Sequence, residues 1–424
     1  MGEFVSERDR RAEALRLVSE EGWSVTAAAA VVGRSRRWLS KWAARFNAGE
    51  GLSERSRASS TSFQSSSDEL VDVVLEYRRR LETDPVSSVG GLSILAAMER
   101  DGLTGLPSVR SIERILTRAG MTHPKTKKTS RSTVPILPLP QVGHVPGVWH
   151  QSDWIQDRYL EGGIRYNSIQ LVDMGSGGGI ARQYRHRSMT SAAEFFLEHG
   201  WPQLSIPQAV SVDNAFSKTS HLHNFWTLFV RLCLFFGTEP VISPPRELGW
   251  TNGVENFNNL FQDRTIAKRR YPTLELLAGD TDLFNHWANH LRPLHPPAVA
   301  GTRYPDVLVD NFRDTLRWPP SLFLADHQDS KGRLRIPLTD GRVTFLRRVH
   351  QQAITIAQHR WPIDLPDHSL VVASITTGDA TLTLRHQAET LATHTYPIPH
   401  PVTNPYYPPH PHSIYHHAQM RTMP

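Results

Sequence analysis

The chain has 424 residues, of which 39% are hydrophobic, enough for packed cores and room for about two to four domains. A formal charge of +6 and a pI near 9.5 permit a polyanionic partner, while the most apolar stretch, Phe225 to Phe236, is broken by Arg231 and too short to span a bilayer. Charged residues stand where a signal peptide needs an apolar block, and the single Cys233 excludes an internal disulfide, so the expectation is a cytoplasmic, nucleoid-associated protein with no membrane partner.

In chain order, Glu7 to Glu20 carries Ala14, Leu15, Leu17 and Val18 at helical spacing. A short Ala-rich helix after Ser24, a turn at Gly33 and a second helix through Trp42 follow, which is the layout of a helix-turn-helix. Trp38, Leu39 and Trp42 would pack inward, leaving Arg36, Arg37, Ser40 and Lys41 toward a major groove. Arg34, Arg36, Arg37, Lys41, Arg45, Arg55 and Arg57 face only Glu50 and Glu54, which favours phosphate contact over a solvated charged face. Residues 1–57 are therefore assigned as an N-terminal all-α DNA-binding domain; a purely structural helical hairpin is the alternative.

Residues 58–67 continue a Gly-, Ser- and Arg-rich linker. Helices are predicted over Asp68 to Leu81, Val89 to Arg100 and Pro107 to Arg118, the last opened by a Ser108 cap with Val109, Ile112, Ile115 and Leu116 on one side. They make a second helical domain at 68–122. Arg110, Arg114, Arg118, Lys125, Lys127, Lys128 and Arg131 form a second basic cluster against Glu113. Residues 123–146 turn Pro-rich and read as an extended connector.

Strands are predicted at Val148 to Ile155, Ser168 to Asp173, Ile180 to Tyr184, Ala209 to Val212 and Glu239 to Ile242. Helices are expected at Thr190 to His199, from about Ser220 to Phe236, and at Gly253 to Arg264, which completes a mixed α/β unit at 147–310. Gly175 to Gly179 lacks the Walker lysine and opens no helix, so it reads as a hairpin turn. After a linker at 311–333, alternation at Val343/Phe345, Ile354/Ile356, Leu370/Val372 and Leu382/Leu384 predicts a small β-barrel at 334–396. The Pro-, His- and Tyr-rich residues 397–424 are expected to be disordered.

Three acids end or follow these elements: Asp153 in His150-Gln-Ser-Asp-Trp, Asp213 in Val212-Asp-Asn-Ala-Phe, and Glu255 in Asn252-Gly-Val-Glu-Asn-Phe-Asn. Each alone has an ordinary explanation, since Asp before a turn and Glu early in a helix are common. Brought together they would repel, and two hard divalent cations would relieve the repulsion while activating a hydroxyl and stabilising a leaving oxygen. The pairs His221/His223, His286/His290 and His416/His417 show no third ligand, so zinc is not expected.

The order Asp153, Val212-Asp213-Asn214, then Ser243-Pro-Pro-Arg-Glu-Leu-Gly-Trp-Thr-Asn252-Gly253-Val-Glu255 resembles the retroviral-integrase-like DDE transposases of bacterial insertion sequences. Asn289-His-Leu-Arg292-Pro-Leu-His295 extends the likeness. The resemblance implies an RNase H-like core with a mixed five-stranded sheet, in which Asp153, Asp213 and Glu255 are catalytic and hold two Mg²⁺, with Mn²⁺ able to substitute. It implies a second helix-turn-helix whose candidate DNA contacts are Ser108, Arg110, Ser111 and Arg114, with Lys125, Lys127 and Lys128 beyond it. It also implies double-stranded DNA partners, namely transposon ends and target DNA, and self-association into a dimer or higher multimer.

The sequence departs from that pattern at Ala215, where the family has Gly, at Asn256, where it has Arg, and in a long 213-to-255 interval. Glu247 would shorten the interval and is held in reserve as the third acid. An insertion near Thr219 to Trp226 explains the length more simply, because surface loops tolerate added residues cheaply. The competing readings are a catalytically impaired DNA-binding repressor or assembly factor, and an RNase H-like nuclease acting on RNA in hybrids.

Overall fold

Serines set the helix starts of the N-terminal unit, Met1–Ser66. Ser6, Ser24 and Ser35 each accept a hydrogen bond from a backbone N–H three residues on, and so open α1 (Glu7–Ser19), α2 (Val25–Val31) and α3 (Arg36–Asn47). Each such cap stabilises its helix by about 1 kcal/mol. Ala14, Leu15, Leu17, Ala28, Ala29, Val32 and Leu39 form the shared core. Trp42, also buried, is sandwiched by the guanidinium groups of Arg11 and Arg45, 3.8 and 4.4 Å from its ring.

The structure is a computed structural model and describes residues 6–54, 67–122, 138–140, 145–217, 226–294 except 248, 304–305, 320–398 except 358 and 388, 414–415 and 420–422. Most of the expected linker at 58–67 and connector at 123–146 lies outside these residues.

The second unit, Ser67–Pro424, begins with α4 (Asp68–Thr83), α5 (Gly91–Arg100) and α6 (Val109–Arg118). Val74, Leu81, Ile94, Met98, Ile112 and Leu116 join them in one apolar cluster. The α5–α6 approach is close enough that a Cβ on Gly91 would meet Glu113 Oε1 at 2.8 Å. This helical segment docks on the α/β part through Val86, buried in its core, and through Arg264, which donates to the Ser87 carbonyl at 2.9 Å.

A short strand, β1 (Pro138–Pro140), precedes the α/β core. The core strands are β2 (Trp149–Tyr159), β3 (Arg165–Asp173), β4 (Gly179–Tyr184), β5 (Ala209–Val212) and β6 (Glu239–Ile242). β2, β3 and β4 pair antiparallel, while β5 lies parallel to β2 and β6 parallel to β5. On one face pack α7 (Met189–Glu194), which runs through a π-turn into α8 (Trp201–Leu204), and α9 (Leu228–Phe235), with Phe195, Phe196, Trp201 and Phe229 against Trp154 and Leu171. On the other lie α10 (Asn252–Arg264) and α11 (Leu274–His286), with Phe257, Phe261 and Phe284 against Ile155 and Val172. The helix expected from Ser220 starts at Leu228, where Thr227 caps it.

The sheet is larger than the five strands expected. Beyond a short α12 (Pro320–Asp326), β7 (Arg342–Arg348) pairs parallel with β6 through Val241↔Thr344 and Ile242↔Phe345. After the separate hairpin of β8 (Ala353–Ile356) and β9 (His359–Pro362), the strands β10 (Leu370–Thr376), β11 (Thr381–His386) and β12 (Glu389–Thr395) extend the same sheet to nine strands, in the order β12-β11-β10-β7-β6-β5-β2-β3-β4. The residues expected to close a barrel at 334–396 thus lengthen an open sheet instead. Alternation marks a strand but not its neighbour, and β7 is buried on both sides, as an interior strand should be.

Of the tail at 397–424, expected to lack order, most lies outside the described residues. Within it Tyr415 is 3% exposed in a cluster with Trp149, Val241, Trp250 and Leu346, and β13 (Met420–Thr422) pairs with β1. An aromatic ring that fills an apolar socket supplies the burial that the residues around it lack.

At the opposite edge, Asn285 and Asn289 hydrogen-bond the N–H and C=O of Ala181 and Gly179, so β4 presents a covered edge there. The same edge admits no side chain at Gly179, where a Cβ would lie 2.5 Å from the Phe257 ring on α10. Gly179→Ala is expected to push α10 outward and lower stability by about 1–3 kcal/mol, as overpacking does; a melting temperature unchanged in scanning calorimetry would contradict this packing.

Candidate metal centre

Strand register brings the first two acids abreast. β2 and β5 run parallel with Gln151 opposite Ser211, so two residues further along each strand Asp153 and Asp213 come level at the carboxyl end of β5. Asp153 Oδ1 accepts from the Trp154 N–H at 2.8 Å and Oδ2 from Asn258 Nδ2 at 3.3 Å. Asp213 caps the 3₁₀ turn Asn214–Phe216, its Oδ1 accepting from the Ala215 N–H at 2.9 Å.

Glu255 arrives on the first turn of α10. The N-cap residue of that helix, Thr251, makes no side-chain cap. Gln151 supplies it from β2: its Oε1 accepts from the N–H groups of Gly253 (2.8 Å) and Val254 (3.3 Å), and its Nε2 donates to the Trp250 carbonyl at 3.3 Å. A Cβ on Gly253 would sit 2.2 Å from Met174 Sδ and 2.8 Å from Gln151 Oε1, so a larger residue would have to push the side chain that caps the helix. Thr251 Oγ1 donates to Glu255 Oε1 at 3.1 Å.

The three carboxylates feel one another. Burial first, then the charge of Asp213 and more weakly that of Glu255, raise the Asp153 carboxyl to about 6. A group of carboxylates without thiolate or imidazole suits a hard cation such as Mg²⁺ or Mn²⁺, and the mutual repulsion is what such cations relieve.

Glu247 is committed elsewhere. Both its oxygens accept from Arg348, at 2.9 and 3.1 Å, and Oε2 also accepts from Trp250 Nε1 at 2.9 Å. The departures noted in sequence are accommodated without strain: Ala215 lies in the 3₁₀ turn and has no positive φ, and Asn256 is exposed.

Sequence reasoning missed Gln151, Asn258 and Arg347. Gln151 shares the strand face of Asp153 by the period of two, and Asn258 lies three residues beyond Glu255, so both were reachable by spacing. Arg347, which donates to Asn214 Oδ1 at 3.0 Å, lies 133 residues away and carries no such signal. Among the described residues, one three-ligand group has its donor atoms within 4.8 Å of one another, Glu194, Glu198 and His199 at the π-turn after α7, and it was not foreseen either. The rings of His286 and His290 lie 4.8 Å apart, tilted at 36°; His221, His223, His416 and His417 lie outside the described residues.

The candidate DNA contacts divide. Arg34, Arg36, Arg37, Ser40 and Lys41 are exposed on or just before α3, although Arg34 pairs with Glu7. Arg45 is drawn into the fold by Glu50, at 3.1 Å, and by Trp42. On the second helical segment Arg110 and Arg114 are exposed, while Ser108 caps α6 and shares a hydroxyl hydrogen bond with Ser111. Lys125, Lys127 and Lys128 lie outside the described residues.

Residues 6–54 match the family of homeodomain-like domains. The first unit is similar to homeodomain-like domains. No curated protein sequence matches the chain. Among solved structures, the simian T-cell lymphotropic virus intasome with PP2A regulatory subunit B56 gamma is 15% identical, with 72% of this chain and 96% of that one covered at a TM-score of 0.34. The HTLV-2 integrase catalytic core domain in complex with magnesium is 16% identical over 39% of this chain and 99% of its own, at 0.30. The catalytic core domain of BIV integrase, also 16% identical, is covered to 95% with 39% of this chain, at 0.28. These likenesses are distant.

A raised carboxyl ties stability to pH. The folded-state pKa of Asp153 exceeds its unfolded value, so the stability it contributes is present below about pH 4 and lost as pH rises through about 6, on the order of 2–3 kcal/mol. In EDTA the melting temperature should fall across that window, Mg²⁺ should restore it, and Asp153→Asn should flatten the profile. Equal slopes for wild type and variant would remove the electrostatic argument.

Proposed function

We propose that the protein is a DNA transposase that binds the terminal inverted repeats of its element, hydrolyses a phosphodiester to free a 3′-OH and joins that hydroxyl to target DNA. The observation that carries this reading is the convergence of Asp153, Asp213 and Glu255 from β2, β5 and α10, with Asp153 raised first by burial and then by the charges of the other two. Its support is strengthened by a homeodomain-like unit in the same chain, which accounts for DNA binding and leaves an RNA-hybrid nuclease with an unused module. The HTLV-2 integrase core solved with magnesium gives a precedent for the ion.

Asp153, Asp213 and Glu255 would hold two divalent cations, which when bound lower the pKa of the attacking water or 3′-OH and neutralise the departing 3′ oxygen. The protein's own part is placement. Asn258 and the Trp154 N–H orient Asp153, the 3₁₀ turn orients Asp213, and Gln151 fixes the helix bearing Glu255. No side-chain nucleophile is required, since the same in-line substitution serves both cleavage and joining. Ends must be held in pairs for joining, so the protein is expected to form a dimer or higher multimer on DNA.

Asp153→Asn should abolish cleavage and strand transfer on end-bearing oligonucleotides in Mg²⁺ and leave end binding intact; strand transfer retained by this variant would refute the assignment. Binding by the N-terminal unit should weaken steeply with salt, and Lys41→Ala should reduce the slope of log K against log [salt] by about 0.9, one phosphate contact. A slope that does not change, measured by fluorescence anisotropy, would take Lys41 off the DNA.

A further inference from the structure

Two neighbouring arginines on β7 reach the loops that carry two of the three acids. Arg347 is 8% exposed and has no carboxylate partner among the described residues. Its Nη2 donates to Asn214 Oδ1 at 3.0 Å, its Nη1 to the carbonyls of Ser243 (3.2 Å), Ile242 (3.4 Å) and Leu346 (2.8 Å), and its Nε to the Thr355 carbonyl at 3.2 Å. Asn214, the residue after Asp213, is held from its other side as well, because its Nδ2 donates to the Ser243 carbonyl at 3.4 Å. A planar guanidinium spread over the ends of β5 and β6 fixes the turn from which Asp213 projects.

Arg348 points to the other side of the strand and grips Glu247 with two parallel hydrogen bonds. Glu247 accepts from Trp250 Nε1, and the Trp250 carbonyl accepts from Gln151, which caps α10 within the same turn as Glu255. Hydrogen bonds thus run from Arg348 through Glu247, the Trp250 residue and Gln151 to the backbone of the helical turn that bears Glu255.

We infer that Arg347 and Arg348 are positioning residues of the metal centre: from the C-terminal strands they set where Asp213 and Glu255 stand, so β7 belongs to the catalytic device and is not part of an accessory module. This rests on the reading of the three acids as metal ligands. Residues that orient ligands without touching the ion shift metal affinity more than they shift substrate binding, and their loss costs about 10- to 100-fold in affinity.

The experiment uses the full chain with Arg348→Gln, Glu247→Gln, the double variant, and Arg347→Lys, which keeps the charge but loses the fork. Mn²⁺ binding is measured by calorimetry, half-saturating Mg²⁺ by strand transfer, and DNA-end affinity by anisotropy. Arg348→Gln should weaken Mn²⁺ binding and raise half-saturating Mg²⁺ by about tenfold or more, with DNA-end affinity unchanged. The double variant should be no worse than Arg348→Gln alone, because the two residues act through one contact. Should Arg348→Gln fail to fold, the exchanged pair Glu247→Arg with Arg348→Glu carries the same comparison. Metal dependence like wild type in folded Arg348→Gln and Arg347→Lys overturns the inference while the site stands. Absence of Mn²⁺ binding in the wild type overturns the site reading, and the inference with it.

Discussion

The carboxamide of Gln151 is the joint on which the proposed centre depends. It stands two residues before Asp153 on the central strand and closes the open end of the helix bearing Glu255. An uncapped helix start leaves backbone N–H groups without partners, and here a single side chain from another element satisfies two of them. The contact orients α10 against β2 and ties the first acid to the third. Gly253 suits it: a larger residue would have to displace the Met174 side chain and the Gln151 carboxamide.

Placing three carboxylates together works against folding, and the surrounding structure offsets that cost in an identifiable way. Phe257, Phe261 and Phe284 pack α10 and α11 onto one face, while Phe195, Phe196 and Phe229 fill the other. Rings of this size bury enough apolar surface to outweigh the repulsion of a partly solvated acid cluster. The cluster can then keep the charge that a divalent cation would use.

Much of this was legible in the sequence, and the reason differs by element. The α3 helix and the core strands announced themselves because their periodicity is strong and local, and the three acids stood out because they sit beside those elements. The nine-stranded sheet did not, since Val343/Phe345 and Leu382/Leu384 alternate identically whether a sheet closes into a barrel or lengthens an existing one. Glu247 was a reasonable rival to Glu255 by spacing; its ties to Arg348 and Trp250 depend on strand pairing that only the fold reveals. Arg45 stood out on charge alone, whereas its contacts with Trp42 and Glu50 are visible only in the fold.

The position of β7 late in the chain imposes an order on biosynthesis. A ribosome releases the homeodomain-like unit first, and that unit is compact by itself. The edge of β6 stays unpaired until residues 342–348 emerge, and the socket around Trp149 and Trp250 stays open until Tyr415 does. On the proposed reading, a nascent chain would complete its DNA-recognising unit well before its metal centre, and a product truncated before β7 would keep the first without the second.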